Sequence, residues 1–342
     1  MHLNPHSLIG KAAALPPTTP PSPVLSFSPV VLRTPSRKVD LELRVTFPSS
    51  PGPSPSSSSS SSDRRRPPLP IILLSHGHGP SNYLPSLDGY APLAEFYAAH
   101  GFAVLQPTHL NSRVLGLALD AGSVRELFVD SRARDMTILL DRLAEIEAAV
   151  PGLGAGALDR ERVAVVGHSA GGVTACLLLG AKNTDPRDGA VTELADGRIK
   201  AGVVFGAPGR GGDAMSETGK QILPCYDVDF SSMRTPALVV WGEQDGSPYL
   251  TVRGAEWHLD PYALAPGPKD ALMVVGGEHG FGGISGWDAA ETKDESPERL
   301  AAVQRLSWAY LRSQLYEGDK SWEEACKILE GLEGIGKVTR KD

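Results

Sequence analysis

Several residue types and patterns are scarce in this sequence, and each scarcity argues against a class of protein. Only three cysteines occur in 342 residues, with neither the even count of a disulfide framework nor the spacing of a zinc site. One of them, Cys176, lies in an apolar run and is expected to pack as a small hydrophobic residue. No apolar run approaches the roughly 20 residues of a membrane-spanning helix. We therefore expect no disulfide scaffold, no cysteine-bound metal and no transmembrane segment.

Positive charge is scarce as well. The sequence has 33 Lys and Arg residues against 40 Asp and Glu residues, a formal net charge of -7, whereas a nucleic-acid-binding protein usually carries a basic stripe. One basic cluster, Arg64–Arg66, lies in a low-complexity stretch. Residues 8–15 are too short and too interrupted for a signal peptide. We therefore expect no nucleic-acid partner and a cytoplasmic location.

Low-complexity segments lie at the beginning of the chain and within it. Residues 1–22 are rich in Pro, Ser and Thr and are expected to form a flexible tail, and 336–342 are expected to form a second tail. Residues 48–70 form an insert that includes seven consecutive serines and is expected to loop out between two strands. Because strand-like segments flank this insert, we expect residues 23–335 to form a single domain.

The rest of the sequence alternates short apolar runs with helical patterns. Continuous apolar runs are typical of buried parallel strands. The sequence contains them at Ile71–Ser75, Ala103–Gln106, Arg162–Val166, Ile199–Phe205, Ala237–Trp241 and Ala271–Val275. Helical patterns separate several of these runs, and two more helices are predicted near the end, beginning after Ser296 and at Ser321. This alternation predicts an α/β fold with a doubly wound, mostly parallel sheet flanked by helices. In such a sheet the active site lies at the carboxyl ends of the strands.

One of these strand ends carries the segment Gly167–Gly171, which has the sequence GHSAG and precedes an apolar helix. A G-x-S-x-G motif between a strand and a helix forms a tight turn that exposes its serine as a nucleophile. The turn strains the serine backbone, so the positions on both sides must be nearly free of side chains, and glycine meets that need. We therefore predict that Ser169 is the nucleophile of a hydrolase and that His168 packs beneath the turn.

A serine hydroxyl needs a base to remove its proton, and in this fold the order along the chain is serine, acid, histidine. His279 lies in a glycine-flanked loop just beyond a predicted strand and is the expected base. His258 lies away from a strand end and is expected at the surface or in packing. The acid must hold the imidazole in the required tautomer. Asp245, in the turn after another strand, is the expected acid, and Glu243 in the same turn is its competitor.

Two backbone N–H groups are needed to bind the oxyanion of an acyl-transfer reaction, one of them from the residue after the nucleophile. That residue is Ala170. The second donor is expected from the loop after Ile71–Ser75, which has the sequence HGHG, and His78 is the best candidate through its N–H. A metal site at the two histidines is the alternative, but no further Asp or His stands nearby to complete a coordination sphere. We expect neither a metal nor a cofactor.

These motifs resemble those of the α/β-hydrolase superfamily, from about residue 24 to the end of the chain. Its dienelactone-hydrolase-like, chlorophyllase-like and polyester-hydrolase-like serine esterases are the most similar members. The matching segments are SHGHG at 75–79, GHSAGG at 167–172, DGRIKAGVVFGAPG at 196–209, VVWGEQD at 239–245 and GGEHG at 276–280. The resemblance implies a triad of Ser169, Asp245 and His279, together with the two oxyanion donors named above. It also implies a structural salt-bridge role for Arg132 and Asp135.

The expected activity is hydrolysis of a neutral, hydrophobic carboxylic ester of a small molecule through an acyl-enzyme. Two segments that follow strands, 109–128 and 209–233, carry many apolar residues and are expected to line the substrate pocket or to pack loops onto the core. The same triad would serve a lactonase, a thioesterase or a peptidase. An alternative of another class is a catalytically silent receptor or scaffold with this fold, which an intact triad disfavours.

Overall fold

The computed structural model describes residues 8–49, 67–117 and 123–342. In chain order its strands are β1 (Val24–Leu32), β2 (Leu41–Pro48), β3 (Leu69–Ser75), β4 (Ala103–Pro107), β5 (Leu158–His168), β6 (Lys182–Thr184), β7 (Val191–Glu193), β8 (Ile199–Phe205), β9 (Val228–Asp229), β10 (Ala237–Gly242), β11 (Lys269–Val274) and β12 (Gly336–Lys341). Its α-helices are α1 (Ala91–Ala99), α2 (Ser131–Asp141), α3 (Leu143–Ala149), α4 (Ala170–Leu178), α5 (Glu217–Ile222), α6 (Asp260–Ala263), α7 (Pro297–Leu315) and α8 (Ser321–Glu330). None of the helices within these described ranges has both the length and the apolar character that crossing a bilayer would need.

Nine strands of the described residues form one sheet, in the order β1-β2-β4-β3-β5-β8-β10-β11-β12. The six strands from β4 to β11 in this order run parallel to one another. The strands β1, β2 and β12 are antiparallel to their neighbours. The short strands β6, β7 and β9 form a separate antiparallel sheet. The predicted fold, a doubly wound and mostly parallel sheet flanked by helices, is confirmed.

The parallel strands are buried on both faces because apolar residues fill both sets of alternating positions. Every residue of β3 is buried. Ile71 and Leu73 belong to the hydrophobic cluster on one face, which includes α4, and Ile72 and Leu74 belong to the cluster on the other face, which includes α7. Helices on both faces therefore explain why these strands appear in the sequence as continuous apolar runs.

The described part of the N-terminal segment is packed, contrary to the expectation of a flexible tail over 1–22. Residues Gly10–Ala14 form a 3-10 turn that lies against α7, with Ala12 and Leu15 completely buried. The Arg305 side chain of α7 donates hydrogen bonds to the carbonyls of Leu15 and Pro17. A few small and apolar residues within LIGKAAAL are enough to fill a groove on this helix. Residues 1–7 of the predicted tail lie outside the described residues.

The C-terminal segment also differs from the predicted tail over 336–342. Residues Gly336–Lys341 form β12, which pairs along its whole length with β11 at the edge of the sheet. Val338 packs partly buried against the core cluster that includes α7. The alternating sequence GKVTRK suits an edge strand with one solvated face, whose charged side chains hinder pairing with a further strand.

Most of the predicted Ser-rich insert, residues 50–66, lies outside the described residues. Its flanks are the end of β2 at Pro48 and the start of β3 at Leu69. Because β2 is antiparallel to β4 and β3 is parallel to β4, both flanks lie at the amino-terminal edge of the parallel strands. That edge is opposite to the one where β5 leads into Ser169.

Candidate active site

Ser169 lies in the tight turn between the end of β5 and the start of α4. Its backbone has φ 56° and ψ -120°, a strained conformation for a residue other than glycine. A Cβ at Gly167 would overlap the Gly171 carbonyl, and a Cβ at Gly171 would overlap the Ser75 carbonyl of β3. The Ser169 N–H donates to the Phe205 carbonyl at the end of β8 (2.9 Å). The two glycines therefore let the turn close tightly and hold the serine at the carboxyl edge of the sheet.

His279 and Asp245 meet at the same edge, in the loops after β11 and β10. The His279 Nδ1–H donates to the Asp245 carboxylate, with distances of 3.0 Å to Oδ1 and 2.9 Å to Oδ2. Asp245 is buried, whereas the His279 side chain is 32% exposed. Glu243, the competing acid, instead accepts a hydrogen bond from the Gly276 N–H (2.9 Å) and is exposed. Of the two carboxylates in this turn, Asp245 is the one that contacts the imidazole.

The two side chains shift each other's protonation. Burial lowers the pKa of His279, but the negative charge of Asp245 and its hydrogen bond outweigh burial, so the pKa is raised above the ordinary 6.5. Burial raises the pKa of Asp245, but the charge and the hydrogen bond of His279 outweigh it and the pKa is lowered. The pair therefore favours an ionised carboxylate beside an imidazole that accepts a proton readily.

The end of β8 brings Ser169 and the acid–base pair together. Gly206, directly after β8, has φ +49°, and a Cβ there would lie 3.2 Å from the His279 ring and 3.1 Å from Asp245 Oδ2. Phe205, the residue before it, accepts the Ser169 N–H as described above. No hydrogen bond joins the Ser169 hydroxyl to His279 within the described part of the chain. Such catalytic hydrogen bonds are often long without substrate and tighten when it binds.

The two predicted oxyanion donors, His78 and Ala170, both lie at the cavity in front of Ser169. Their N–H groups donate to no backbone carbonyl of the described residues. The His78 ring packs edge-on against Phe128, with 4.7 Å between ring centroids. Burial, followed by the charges of Arg132 and Arg113, lowers the pKa of His78 to about 4. At neutral pH its ring is therefore an uncharged part of the cavity wall.

The cavity in front of Ser169 has a volume of about 440 Å³ and is mostly apolar. The two apolar segments predicted to line it contribute through these members: Val124, Phe128, Ile222, Leu223 and Tyr226. Of the other apolar residues in those segments, Leu110, Met215 and Phe230 are buried in the protein, Val114 is exposed, and Leu119 lies outside the described residues. Further lining residues come from elements that the sequence pattern did not indicate: Val173, Pro208, Tyr249 and Leu250.

The comparison with known families agrees with this architecture. A family model described as the alpha/beta hydrolase family matches residues 71–325, from β3 to α8. The chain belongs to the alpha/beta hydrolase family. No curated protein matches it. Within this family member, the strand β5, the turn at Ser169 and the loops that carry Asp245 and His279 all lie inside the matched region.

A buried arginine holds the loop that carries His78 in this hydrolase-family chain. The Arg132 side chain is completely buried and donates to the His76 carbonyl, to Asn111 Oδ1 (2.7 Å) and to Thr174 Oγ1 of α4 (2.9 Å). The resemblance implies a salt bridge here, but Arg132 forms none among the described residues. It ties the loop after β3 to the helix after Ser169 through neutral oxygens instead.

The other member of that implied pair, Asp135, does form an ion pair, with Arg37. Its carboxylate accepts a hydrogen bond from Arg37 Nε (2.8 Å) and another from His109 Nδ1 (2.9 Å). Burial raises the pKa of Asp135 to about 6, opposed by the charge and hydrogen bond of Arg37. The salt-bridge expectation thus holds for Asp135 with a partner from outside its helix.

His258 is not at the surface, where the sequence had left it as one possibility. It is 1% exposed, because the 3-10 turn Ala255–Leu259 directs it inward. Its Nδ1–H donates to the Ala207 carbonyl (2.8 Å), and its Nε2, which has no hydrogen bond, lies 3.5 Å from Asp245 Oδ1. His258 therefore packs beside both members of the acid–base pair, with 5.7 Å between its ring centroid and that of His279.

Within the described residues, the HGH motif and one cluster of three side chains are the places to consider for a metal. In the HGH motif, His76 has both ring nitrogens in hydrogen bonds, with the Gly77 carbonyl and with the His109 N–H, so it offers no free ligand atom. Asp245, His258 and His279 lie close enough to share an ion. The hydrogen bond between His279 Nδ1 and the Asp245 carboxylate already occupies Nδ1 and both carboxylate oxygens, which favours an acid–base pair over a metal site.

Proposed function

We propose that this chain hydrolyses carboxylic esters through an acyl-enzyme on Ser169. His279 would act as the base, Asp245 would orient it, and the N–H groups of His78 and Ala170 would bind the oxyanion. The observation that carries the proposal is the arrangement of Ser169 on a strained turn, at an apolar cavity, beside an imidazole hydrogen-bonded to a buried carboxylate. Backbone strain of this kind clusters at active sites, so the strained and half-buried Ser169 supports a chemical role.

The proposed reaction proceeds in two displacements at the carbonyl carbon. Ser169 Oγ attacks while His279 Nε2 takes its proton, and the resulting oxyanion is stabilised by the two N–H groups. The C–O bond to the alcohol then breaks, and His279 returns the proton to the leaving oxygen. Water, deprotonated by the same imidazole, then attacks the acyl carbon. The bond to Ser169 Oγ breaks, His279 returns the proton to that oxygen, and the acid is released. Each proton is carried by His279, which explains why its orientation by Asp245 matters.

The cavity supports a neutral, hydrophobic substrate. None of the described residues that line it is Asp, Glu, Lys or Arg, and its single imidazole, His78, is uncharged at neutral pH. Charged acyl groups would lose their hydration there without gaining a partner. Lactones and thioesters present the same carbonyl chemistry, but no contact in the cavity favours them over an open-chain ester.

Fluorophosphonate labelling combined with a panel of p-nitrophenyl esters tests the proposal. We expect one covalent adduct, located at Ser169 by peptide mass spectrometry. We also expect kcat/KM to rise by about fourfold for each methylene added to the acyl chain until the cavity is filled, from about 0.8 kcal/mol per buried methylene. Heat-unfolded protein is the control and should not label. A folded protein that neither labels nor turns over any ester would instead support a receptor or scaffold.

The pH dependence of ester hydrolysis reports on His279. The base must be neutral to act, so we expect kcat/KM to rise with pH through the pKa of His279, at a midpoint above 6.5 because the Asp245 charge raises that pKa. Asp245→Asn removes that charge and leaves only the smaller influence of the Asp294 charge to oppose burial, so the midpoint should move to lower pH while kcat falls. Glu243→Gln, in the same turn but bonded to Gly276, is the matched control. A midpoint that responds equally to both substitutions would contradict the assignment of Asp245.

A further inference from the structure

Tyr90 lies immediately before α1, and its side chain is completely buried. Its backbone is left-handed, with φ 64° and ψ 15°, a conformation that an aromatic residue keeps only where its surroundings hold it. The Tyr90 N–H donates to the Ser285 carbonyl (3.0 Å). This fixed backbone and the surrounding packing place the hydroxyl at one point in the interior, close to the active-site loops.

The hydrogen bonds around Tyr90 have only one possible direction. The His279 carbonyl can only accept, so His168 Nε2, 2.8 Å away, must carry the proton. His168 Nδ1 is then an acceptor, and the Tyr90 hydroxyl donates to it (2.8 Å). The Tyr90 oxygen in turn accepts the Gly77 N–H (2.9 Å). Burial and the charge of His279 lower the pKa of His168 to about 3, so the direction of the chain does not change around neutral pH.

The chain of bonds reaches three segments that carry the proposed chemistry. Gly77 precedes His78, one of the proposed oxyanion donors, and His168 precedes Ser169. The third end of the chain is the backbone of His279 itself. Gly77 allows this approach, because a Cβ there would lie only 2.8 Å from the Tyr90 hydroxyl. The Tyr90 hydroxyl therefore links, directly or through His168, the segments at the ends of β3, β5 and β11.

We propose that the Tyr90 hydroxyl is a positioning group. Through its hydrogen bonds to Gly77 and His168 it fixes the relative positions of the His78 N–H, Ser169 and His279 that catalysis requires. The inference rests on the proposed ester hydrolysis. Tyr90 touches no reacting atom, and its effect would be on the geometry of the transition state. A misplacement of about 1 Å at a catalytic group can cost on the order of 100-fold in rate.

Tyr97, which lies within α1, provides a control for Tyr90, the residue just before that helix. Like Tyr90 it is completely buried, and its hydroxyl forms one hydrogen bond, to Ser307 Oγ of α7 (2.7 Å), away from the active-site loops. Tyr90→Phe and Tyr97→Phe each remove a single buried hydroxyl and keep the ring. Both variants keep the ring, but Tyr90→Phe leaves the Gly77 N–H and His168 Nδ1 without their partner, so its loss of stability should be the larger of the two.

Steady-state kinetics and thermal unfolding of both variants test the proposal. For Tyr90→Phe we expect kcat for a p-nitrophenyl ester to fall by about 10- to 100-fold, with KM changed less than about twofold and the protein still folded at the assay temperature. Tyr97→Phe should keep kcat within about twofold. Equal losses of kcat in the two variants, or a change in KM alone, would overturn the positioning role.

A second substitution keeps the test decisive should Tyr90→Phe fold poorly. His168→Gln can place its amide N–H near the His279 carbonyl, but its amide oxygen does not coincide with the His168 Nδ1 position that accepts from Tyr90, so it interrupts the same chain. We expect the double variant to lose about as much kcat as the more impaired of the two single variants. Two independent residues would instead give a fold-loss equal to the product of the two single fold-losses. Failure of the proposed function itself looks different: the wild type would then be inactive, or Ser169→Ala would remain active.

Discussion

Replacing Ser169 with alanine is expected to lower kcat for ester hydrolysis by a factor of about 10000 or more. The substitution removes the only atom that forms the proposed acyl bond, and no neighbouring side chain can supply another nucleophile at the same point of the turn. The two N–H groups of the proposed oxyanion hole and the apolar cavity remain, so a small residual rate and unchanged substrate binding are expected. The loss should therefore appear in kcat and not in KM.

Circular dichroism and thermal unfolding separate this chemical effect from a loss of folding. Alanine fits the φ 56° backbone as poorly as serine does, so we expect the melting temperature to change by less than about 3 °C. Ser232→Ala is the control, because it also removes a serine hydroxyl, one that donates to the Gly180 carbonyl (2.7 Å) in a different loop. Turnover by Ser169→Ala near the wild-type rate would move the nucleophile to another residue.

The largest effect on stability is expected for Gly171→Ala. The new Cβ would overlap the Ser75 carbonyl of β3, and neither the sheet nor the start of α4 can move aside without breaking the central hydrogen bonds. We expect a loss of about 3 kcal/mol or more in the free energy of unfolding, together with a loss of activity. Denaturant unfolding monitored by fluorescence measures the change.

Gly197→Ala is the matched substitution for that experiment. A Cβ at Gly197 would meet no atom within 4 Å, and its backbone is not left-handed. The free energy of unfolding should therefore stay within about 0.5 kcal/mol of the wild type. Similar losses in the two variants would mean that the close approach of the turn to β3 is not what requires glycine at 171.

The sequence predicts the centre of this fold well, and it indicates a candidate site, because both depend on local patterns. Continuous apolar runs identify strands that are buried on both faces, and the strand ends then restrict which polar residues can meet. Gly167 and Gly171 identify the turn because a Cβ at either position would overlap a carbonyl of the main chain. Asp245 and His279 follow from their places directly after β10 and β11.

The features that the sequence does not predict depend on surfaces formed by distant segments. Ala12 and Leu15 are buried only because α7 offers a groove to them, and nothing in a Pro-rich composition indicates that groove. His258 is directed inward by a short 3-10 turn without a recognisable period. Tyr90 carries a weak signal, since Pro92 indicates the start of a helix, but its partners come from three separate loops.

The placement of the Ser-rich insert has a consequence for how this enzyme family member can be altered. Its flanks, at Pro48 and Leu69, leave and rejoin the sheet at the amino-terminal edge of the parallel strands, and Ser169 lies at the opposite edge. A peptide inserted between these flanks would therefore join the sheet at the edge opposite to Ser169. We expect changes of length between these flanks to leave ester hydrolysis unchanged, whereas at the opposite edge a single added Cβ at Gly171 would overlap a main-chain carbonyl.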